Sequence, residues 1–291
     1  MFPRILKWAA IVLLGLLVVL LLAFGICAWR FMHENTKRYS VQVREIPIPA
    51  DSATIAAGAH LYAIKGCTEC HGKDLSGHVF LNDPAIGLVA GANLTTGKGG
   101  IPADYSNKDW LLALRHGVNR EGRSLKIMPS YEYSKLSDHD MAAIIAYCKS
   151  QPPMDRQLPA NSVAPLGKIL TAIGKLPMFP AALTDHEYHQ PAEMPATAST
   201  SYGEYLSVSC TGCHNPRLTG GANPVPGGKP VANITSSGHI GHWTEDDFMT
   251  TLRTGKTPEG YQLKNEDMPW KMTAQYTDEE LKALFMYLKS L

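Results

Sequence analysis

Apolar residues are distributed along this chain in two ways. From Trp8 to Trp29 they run together without a charged side chain, behind a short basic segment carrying Arg4 and Lys7. At ~1.5 Å per residue a helix of that run spans about 33 Å, enough to cross the hydrocarbon core of a bilayer. Tryptophan at each end suits the two interfaces. The run predicts a retained single-span anchor over 1–30. The competing reading is a cleaved signal peptide, whose apolar core is shorter, about 7–15 residues.

Beyond residue 30 the apolar positions recur at helical spacing between Gly- and Pro-rich loops. Residues 31–52, with Pro47 and Pro49, read as an extended tether. Ile55 to Lys65 then has helical spacing, Ser106 to Asp109 caps a helix through Leu114, and Ser137-Asp138 caps one carrying Met141, Ile144, Ile145 and Cys148. No stretch alternates with the period of a strand, so the unit at 53–151 is expected to be all-α. Prolines from Pro152 to Pro195 punctuate a connector over 152–197. Within it Leu166, Ile169, Leu170, Ile173 and Leu176 predict a short helix. That helix either packs between the flanking units or lies at an interface with the membrane or a partner subunit. Lys168 and Lys175 suit both readings.

Residues 198–291 repeat 53–151. Cys67 recurs 143 positions later as Cys210, Asn93-Leu94-Thr95 recurs 140 later as Asn233-Ile234-Thr235, and Asp109-Trp110 recurs 138 later as Asp247-Phe248. Leu114-Arg115 and Gly117 match Leu252-Arg253 and Gly255, Met128-Pro129 matches Met268-Pro269, and Asp138 and Tyr147 match Asp278 and Tyr287. Two copies of about a hundred residues make a tandem duplication, not a solenoid.

Composition narrows the function. The 291 residues suit about two domains, and a net charge of +1 gives no electrostatic case for a nucleic-acid partner. Six cysteines are present. Cys27 in the apolar run and Cys148 in a helical pattern are unlike neighbours, so the even count is not a disulfide framework.

The other four form Cys67-Thr68-Glu69-Cys70-His71 and Cys210-Thr211-Gly212-Cys213-His214. C-x-x-C-H is the attachment signature of c-type haem, so two covalently attached haem c groups are expected. The thiols add across the porphyrin vinyl groups, and His71 and His214 become the proximal iron ligands. A disulfide, a zinc half-site or a thioredoxin-like pair are the other uses of this spacing. A distal thioether would raise the potential and suit electron transfer, and Met128 and Met268 stand at matching places in the two copies. Asn93 and Asn233, with Thr95 and Thr235, are candidate donors to the haem propionates, and Arg115 and Arg253 candidate partners for their charge. Tyr62, Tyr105, Trp110 and Trp243 pack either on the ring edge or within helix faces. Pro84 and Pro226 are candidate carbonyls for the Nδ1 atoms of the proximal histidines. The two N-x-T triplets also match glycosylation acceptors, which the haem context discounts.

Each copy resembles a class I cytochrome c domain: C-x-x-C-H, Asn-(Leu/Ile)-Thr, an aromatic before a helix ending Leu-Arg-x-Gly, Met-Pro, and a terminal helix. His239-Ile240-Gly241-His242-Trp243-Thr244 through Gly255 is similar to the cytochrome subunits of bacterial membrane-bound alcohol, aldehyde and sugar dehydrogenases. The resemblance implies a helical fold around each haem, ligated by His71 with Met128 and by His214 with Met268. It also implies haem attachment outside the bacterial cytoplasmic membrane, with the N-terminus inside and both haem domains periplasmic. Those subunits typically carry three haem motifs, and this sequence shows two. The function expected is a membrane-anchored dihaem electron carrier between a respiratory or dehydrogenase donor and a downstream oxidase or soluble cytochrome, as part of a larger complex. The alternative is a haem enzyme such as a dihaem peroxidase or thiosulfate-oxidising protein, which needs an open iron and acid–base groups above it.

Overall fold

The computed structural model describes residues 2–223 and 228–291, with side chains from residue 4. An N-terminal helix, α1, runs from Phe2 to Thr36 and so takes in the first residues of the expected tether. From Arg4 to Ile26 it is exposed, and it has the length and mean hydropathy, 3.1, of a candidate membrane span.

Each repeat is built on one helical frame. The first comprises α2 (Ser52–Ile64), α3 (Thr68–His71), α4 (Asn107–His116), α5 (Ser130–Tyr133) and α6 (Asp138–Ser150). α7 (Pro165–Ala172) lies in the connector. The second repeat comprises α8 (Thr200–His214), which does the work of α2 and α3 together, then α9 (Glu245–Thr254), α10 (Trp270–Thr273) and α11 (Asp278–Ser290). Local chemistry sets the helix ends. Asp51, Ser106, Ser137, Ser199, Thr244 and Thr277 each accept a first-turn amide on their side-chain oxygen. Gly117 and Gly255 end α4 and α9 in the left-handed conformation.

The first and last long helices of each repeat cross at a glycine. A Cβ on Gly58 would stand 1.9 Å from the Ala143 carbonyl oxygen, and one on Gly203 would stand 1.9 Å from that of Ala283. The two backbones therefore touch directly, and around that contact Leu61, Ile144 and Ile145 in one repeat, and Leu206 and Leu284 in the other, are almost fully buried.

The all-α expectation is too narrow. β1 (Val79–Asp83) and β2 (Gly87–Ala90) form an antiparallel hairpin, and β3 (Ser162–Val163) pairs with β2. The Asp83 carboxylate accepts from the amides of Ala85 and Ile86 and closes the turn. Strands of two to five residues are too short for alternation to register in sequence.

The expected tether and connector are extended, as proline implies, but both wrap the first repeat. The Tyr39 amide donates to Gly122 O at 2.7 Å, and Ile46 is buried in the core. In the connector, the Met154 amide donates to Thr95 Oγ1 at 2.9 Å, and Asn161 Oδ1 accepts from Ala90 N at 2.7 Å. Proline content marks these segments as irregular without saying where their remaining backbone groups find partners. α7 packs on α1 rather than between the repeats.

Two matched clasps join the repeats. His60, two residues past Gly58, meets Glu280 at 2.9 Å, and Tyr205, two residues past Gly203, donates to Asp140 at 2.6 Å. Asp140 and Glu280 are each the third residue of their helix, so the docking is approximately twofold. The hydrogen bond to Glu280 raises the His60 pKa. Burial pushes the Glu280 carboxyl up, but bonds from His60 and the Thr277 amide outweigh it and hold the pKa below its ordinary value. The His60 contribution is then fully present below about pH 6.5 and is lost as pH rises through its raised pKa. The Glu280 contribution is present above about pH 4.3 and is lost as pH falls through its depressed pKa. The Tm difference between the native chain and H60Q is expected to be widest at about pH 5–6 and to shrink at higher pH. A difference independent of pH would show that the pair contributes no charge interaction.

Candidate haem sites

The motif cysteines sit at the C-terminal ends of the helices that enter each repeat. All six cysteines are free, with Cys67 buried, Cys70 and Cys210 half-buried and Cys213 exposed. Burial pushes the Cys67 thiol up to about 12, Cys70 to about 11 and Cys210 to about 12. A redox dithiol needs the opposite shift, so the thioredoxin-like use finds no support. Among the described residues no three His, Cys, Asp or Glu side chains converge on one point.

The two motif histidines are oriented alike. His71 Nδ1 lies 2.8 Å from the Ala92 carbonyl oxygen, and His214 Nδ1 lies 2.8 Å from that of Ala232. Each ring donates its Nδ1–H there, which fixes the tautomer and leaves Nε2 as the free donor for a metal. Burial lowers both histidine pKa values against the opposing pull of the carbonyls, favouring the neutral ring that ligation requires. The carbonyl at the first histidine is therefore that of Ala92, not of Pro84. At the second it is that of Ala232, and Pro226 lies outside the described residues. Both alanines escape a sequence reading because a backbone acceptor leaves no side-chain signature. The available signal was position, directly before each Asn-x-Thr triplet.

Those triplets hold the carbonyls in place. In both copies the asparagine Oδ1 accepts from the amide and the hydroxyl of the threonine two residues on, at 2.9 and 2.8 Å. Asn93 Nδ2 donates to Met154 O, and Asn233 Nδ2 to Ser237 Oγ. Asn93 and Asn233 thus build the loop. Burial of Asn93 and Thr95 leaves no accessible glycan acceptor there. Arg115 and Arg253 likewise pair within the chain, with Asp138 and Asp278, so their charge is already partnered. One donor remains: Arg115 Nε is buried without a hydrogen-bond partner. Tyr62 donates from its hydroxyl to Gly72 O, and Trp110 stands edge-on to Tyr105.

Met128 and Met268 enter matching turns. Ser130 N donates to Met128 O at 2.8 Å and Trp270 N to Met268 O at 2.7 Å. Between them Pro129 has φ −80° and ψ 56°, and Pro269 φ −75° and ψ 63°. These are inverse γ-turns, and proline pre-sets their φ. Both methionines are half-buried. A further matched pair lies between histidine and asparagine. Leu75 and Leu218 are buried and left-handed, at φ 59° and 60°, and their carbonyls accept from Leu94 N and Ile234 N. Leucine rarely adopts that conformation, so the packing of this loop over-determines it. Leu75-Ser76-Gly77 and Leu218-Thr219-Gly220 were the signal in the sequence.

The repeats meet close to both motifs. Glu132 Oε1 lies 2.8 Å from where a Cβ on Gly212 would stand, and the sulfur of Met272, its counterpart in α10, lies 3.3 Å from the same point on Gly66. Burial pushes the Glu132 carboxyl up to about 8, against the charge of the buried Lys65. Lys65 Nζ is 3.4 Å from Ser209 Oγ in the second repeat.

Free, unactivated thiols, neutral oriented histidines and an unpartnered buried arginine donor fit a covalently held haem in the first repeat. The same thiols and histidine fit one in the second. The comparisons agree. Residues 55–152 and 201–291 match the family model described as Cytochrome c. The cytochrome c subunit of the alcohol dehydrogenase (quinone) of Gluconacetobacter polyoxogenes is 27% identical, covering 83% of this chain and 57% of its own. The gluconate 2-dehydrogenase cytochrome c subunit of Pantoea cypripedii is 28% identical, over 83% of this chain and 60% of its own. The chain thus spans little more than half the length of these dehydrogenase subunits. A diheme cytochrome c-type protein of Cereibacter sphaeroides is 27% identical, over 80% of this chain and 84% of its own. Two matched segments that together cover most of the residues place this chain in the cytochrome c family.

Proposed function

We propose that this chain is a membrane-anchored dihaem electron carrier. It passes electrons from a dehydrogenase or respiratory donor to a downstream oxidase or soluble cytochrome, with both haem units periplasmic and α1 in the cytoplasmic membrane. The observation that carries the proposal is the duplicated histidine geometry, His71 on Ala92 O and His214 on Ala232 O, within one docked unit. A bound haem c supplies a one-electron iron couple. Cys67 and Cys70 would hold one haem by thioethers, and Cys210 and Cys213 the other. Nε2 of His71 and of His214 would hold the two irons, with the sulfurs of Met128 and Met268 as their thioether partners. An iron so held by histidine and methionine would suit electron transfer rather than substrate turnover. The clasps at His60–Glu280 and Tyr205–Asp140 keep the two units in fixed register. Relatives that are cytochrome c subunits of alcohol and gluconate dehydrogenases support a dehydrogenase as the donor.

The test is co-purification from gently solubilised membranes, followed by addition of ethanol or gluconate. A dehydrogenase is expected to accompany the full chain, and one of these substrates is expected to reduce its haems, followed by their absorbance, within the mixing time. A lone species whose haems stay oxidised with every dehydrogenase substrate tried would remove the dehydrogenase from the proposal.

A further inference from the structure

We propose that α7 is a foot that seats the protein on the bilayer crossed by α1, its outer apolar stripe sunk among anionic phospholipid headgroups. The inference rests on α1 being a retained anchor. Three observations carry it. First, the inner face of α7 is committed to protein: a Cβ on Gly167 would stand 2.2 Å from the Ile86 carbonyl oxygen at the tip of the β-hairpin. Thr171 and Ala172 share a cavity with Trp29, Phe31 and Glu34 of α1.

Second, the outer face is apolar and uncovered. Leu166 is 44% exposed and Ile173, which caps the C-terminus of α7, is 55% exposed, seven residues on and at the same side. An apolar stripe of this kind beside a polar surface marks an interaction site.

Third, the level of α7 along α1 identifies the occupant. Trp29 ends the uncharged run, and Phe31, one residue beyond Arg30, is buried against Phe179 with ring centroids 5.1 Å apart. Cys27 and Ala28, inside the run, are already half-buried. Packing therefore holds α7 at the boundary where the span leaves the hydrocarbon, the depth an interfacial helix occupies. Arg30 and Lys175 are exposed beside it and suit anionic headgroups.

The test uses the full-length, haem-loaded protein carrying Cys27→Ser, reconstituted in vesicles of phosphatidylethanolamine and phosphatidylglycerol. A spin label is placed at Ile173→Cys, at Leu20→Cys within the span, or at Tyr261→Cys on the second repeat. Oxygen accessibility relative to a water-soluble nickel complex is then read by power saturation. The Ile173 label is expected to give a ratio several-fold above that at Tyr261 and below that at Leu20. A ratio at Ile173 equal to that at Tyr261, with Leu20 in lipid, would overturn the foot and leave the anchor standing. If Ile173 is wet in vesicles but shielded in native membranes, a partner subunit is the occupant and the lipid proposal fails. A wet Leu20 would overturn anchor and foot together.

Discussion

Replacing Gly58 by valine is expected to prevent the first haem unit from assembling, and Gly203→Val is expected to do the same in the second. The obstacle is backbone, not side chain. The added Cβ would lie 1.9 Å from a carbonyl oxygen on the crossing helix, and the Cβ of Tyr147 or Tyr287 stands less than 3 Å away as well. An oxygen held by its helix cannot rotate aside, so the helices must part by more than 1 Å. That loosens the contacts of Leu61 with the α6 face, or of Leu206 with the α11 face. Overpacking costs about 1–3 kcal/mol where side chains can adjust, and here they cannot, so about 3 kcal/mol or more is expected. Against a typical stability of about 5–15 kcal/mol, that removes much of the margin. Haem content and urea unfolding midpoints of the two variants check the prediction. Gly15→Ala, in a helix with nothing within 4 Å, serves as the neutral control. Normal haem content and an unchanged midpoint for G58V would refute the crossing argument.

Met128→Ala is expected to lower the potential of one haem by on the order of 100 mV, and Met268→Ala that of the other. This is a modest part of the ~0.8 V over which axial ligands tune haem. A thioether is a poor donor to ferric iron and favours the ferrous state. Its loss leaves water or a stronger donor in that place. Each variant should also lose about half of the sulfur-to-iron charge-transfer absorption of the oxidised protein. Met141→Ala separates ligation from packing. Met141 is fully buried in α6, so its truncation should cost about 2–5 kcal/mol of stability while leaving both potentials in place.

The parts legible in the sequence were those written in side chains at fixed spacing. C-x-x-C-H, Met-Pro, the capping hydroxyls (Ser106 and Ser137, then Thr244 and Thr277) and the Leu-Arg-x-Gly ends all appear twice, and duplication separated them from chance. What stayed hidden is backbone chemistry. The Ala92 and Ala232 carbonyls orient the motif histidines, yet alanine announces nothing. Gly58 and Gly203 matter through an absent Cβ, and two residues fewer between glycine and cysteine in the second copy conceal their equivalence. Asn93 and Arg115 were legible as residues, but their partners within the chain were not. Their partners, Met154 and Asp138, come from segments far along the chain, and spacing carries no information about such pairs. The proline-rich segments illustrate the same limit. Pro47 or Pro159 signals extended backbone, but the protein surface it lies against is a tertiary fact.

The central claim is two haems on one chain, each iron held by histidine and methionine. It is tested most directly by counting covalent haem on the purified full-length protein by intact mass, with the charge-transfer band of the same oxidised sample recorded beside it. The account predicts the mass of two haems added to the polypeptide, and a band that M128A and M268A each halve and the double variant abolishes. One haem per chain, none, or a band that survives in the double variant would contradict it.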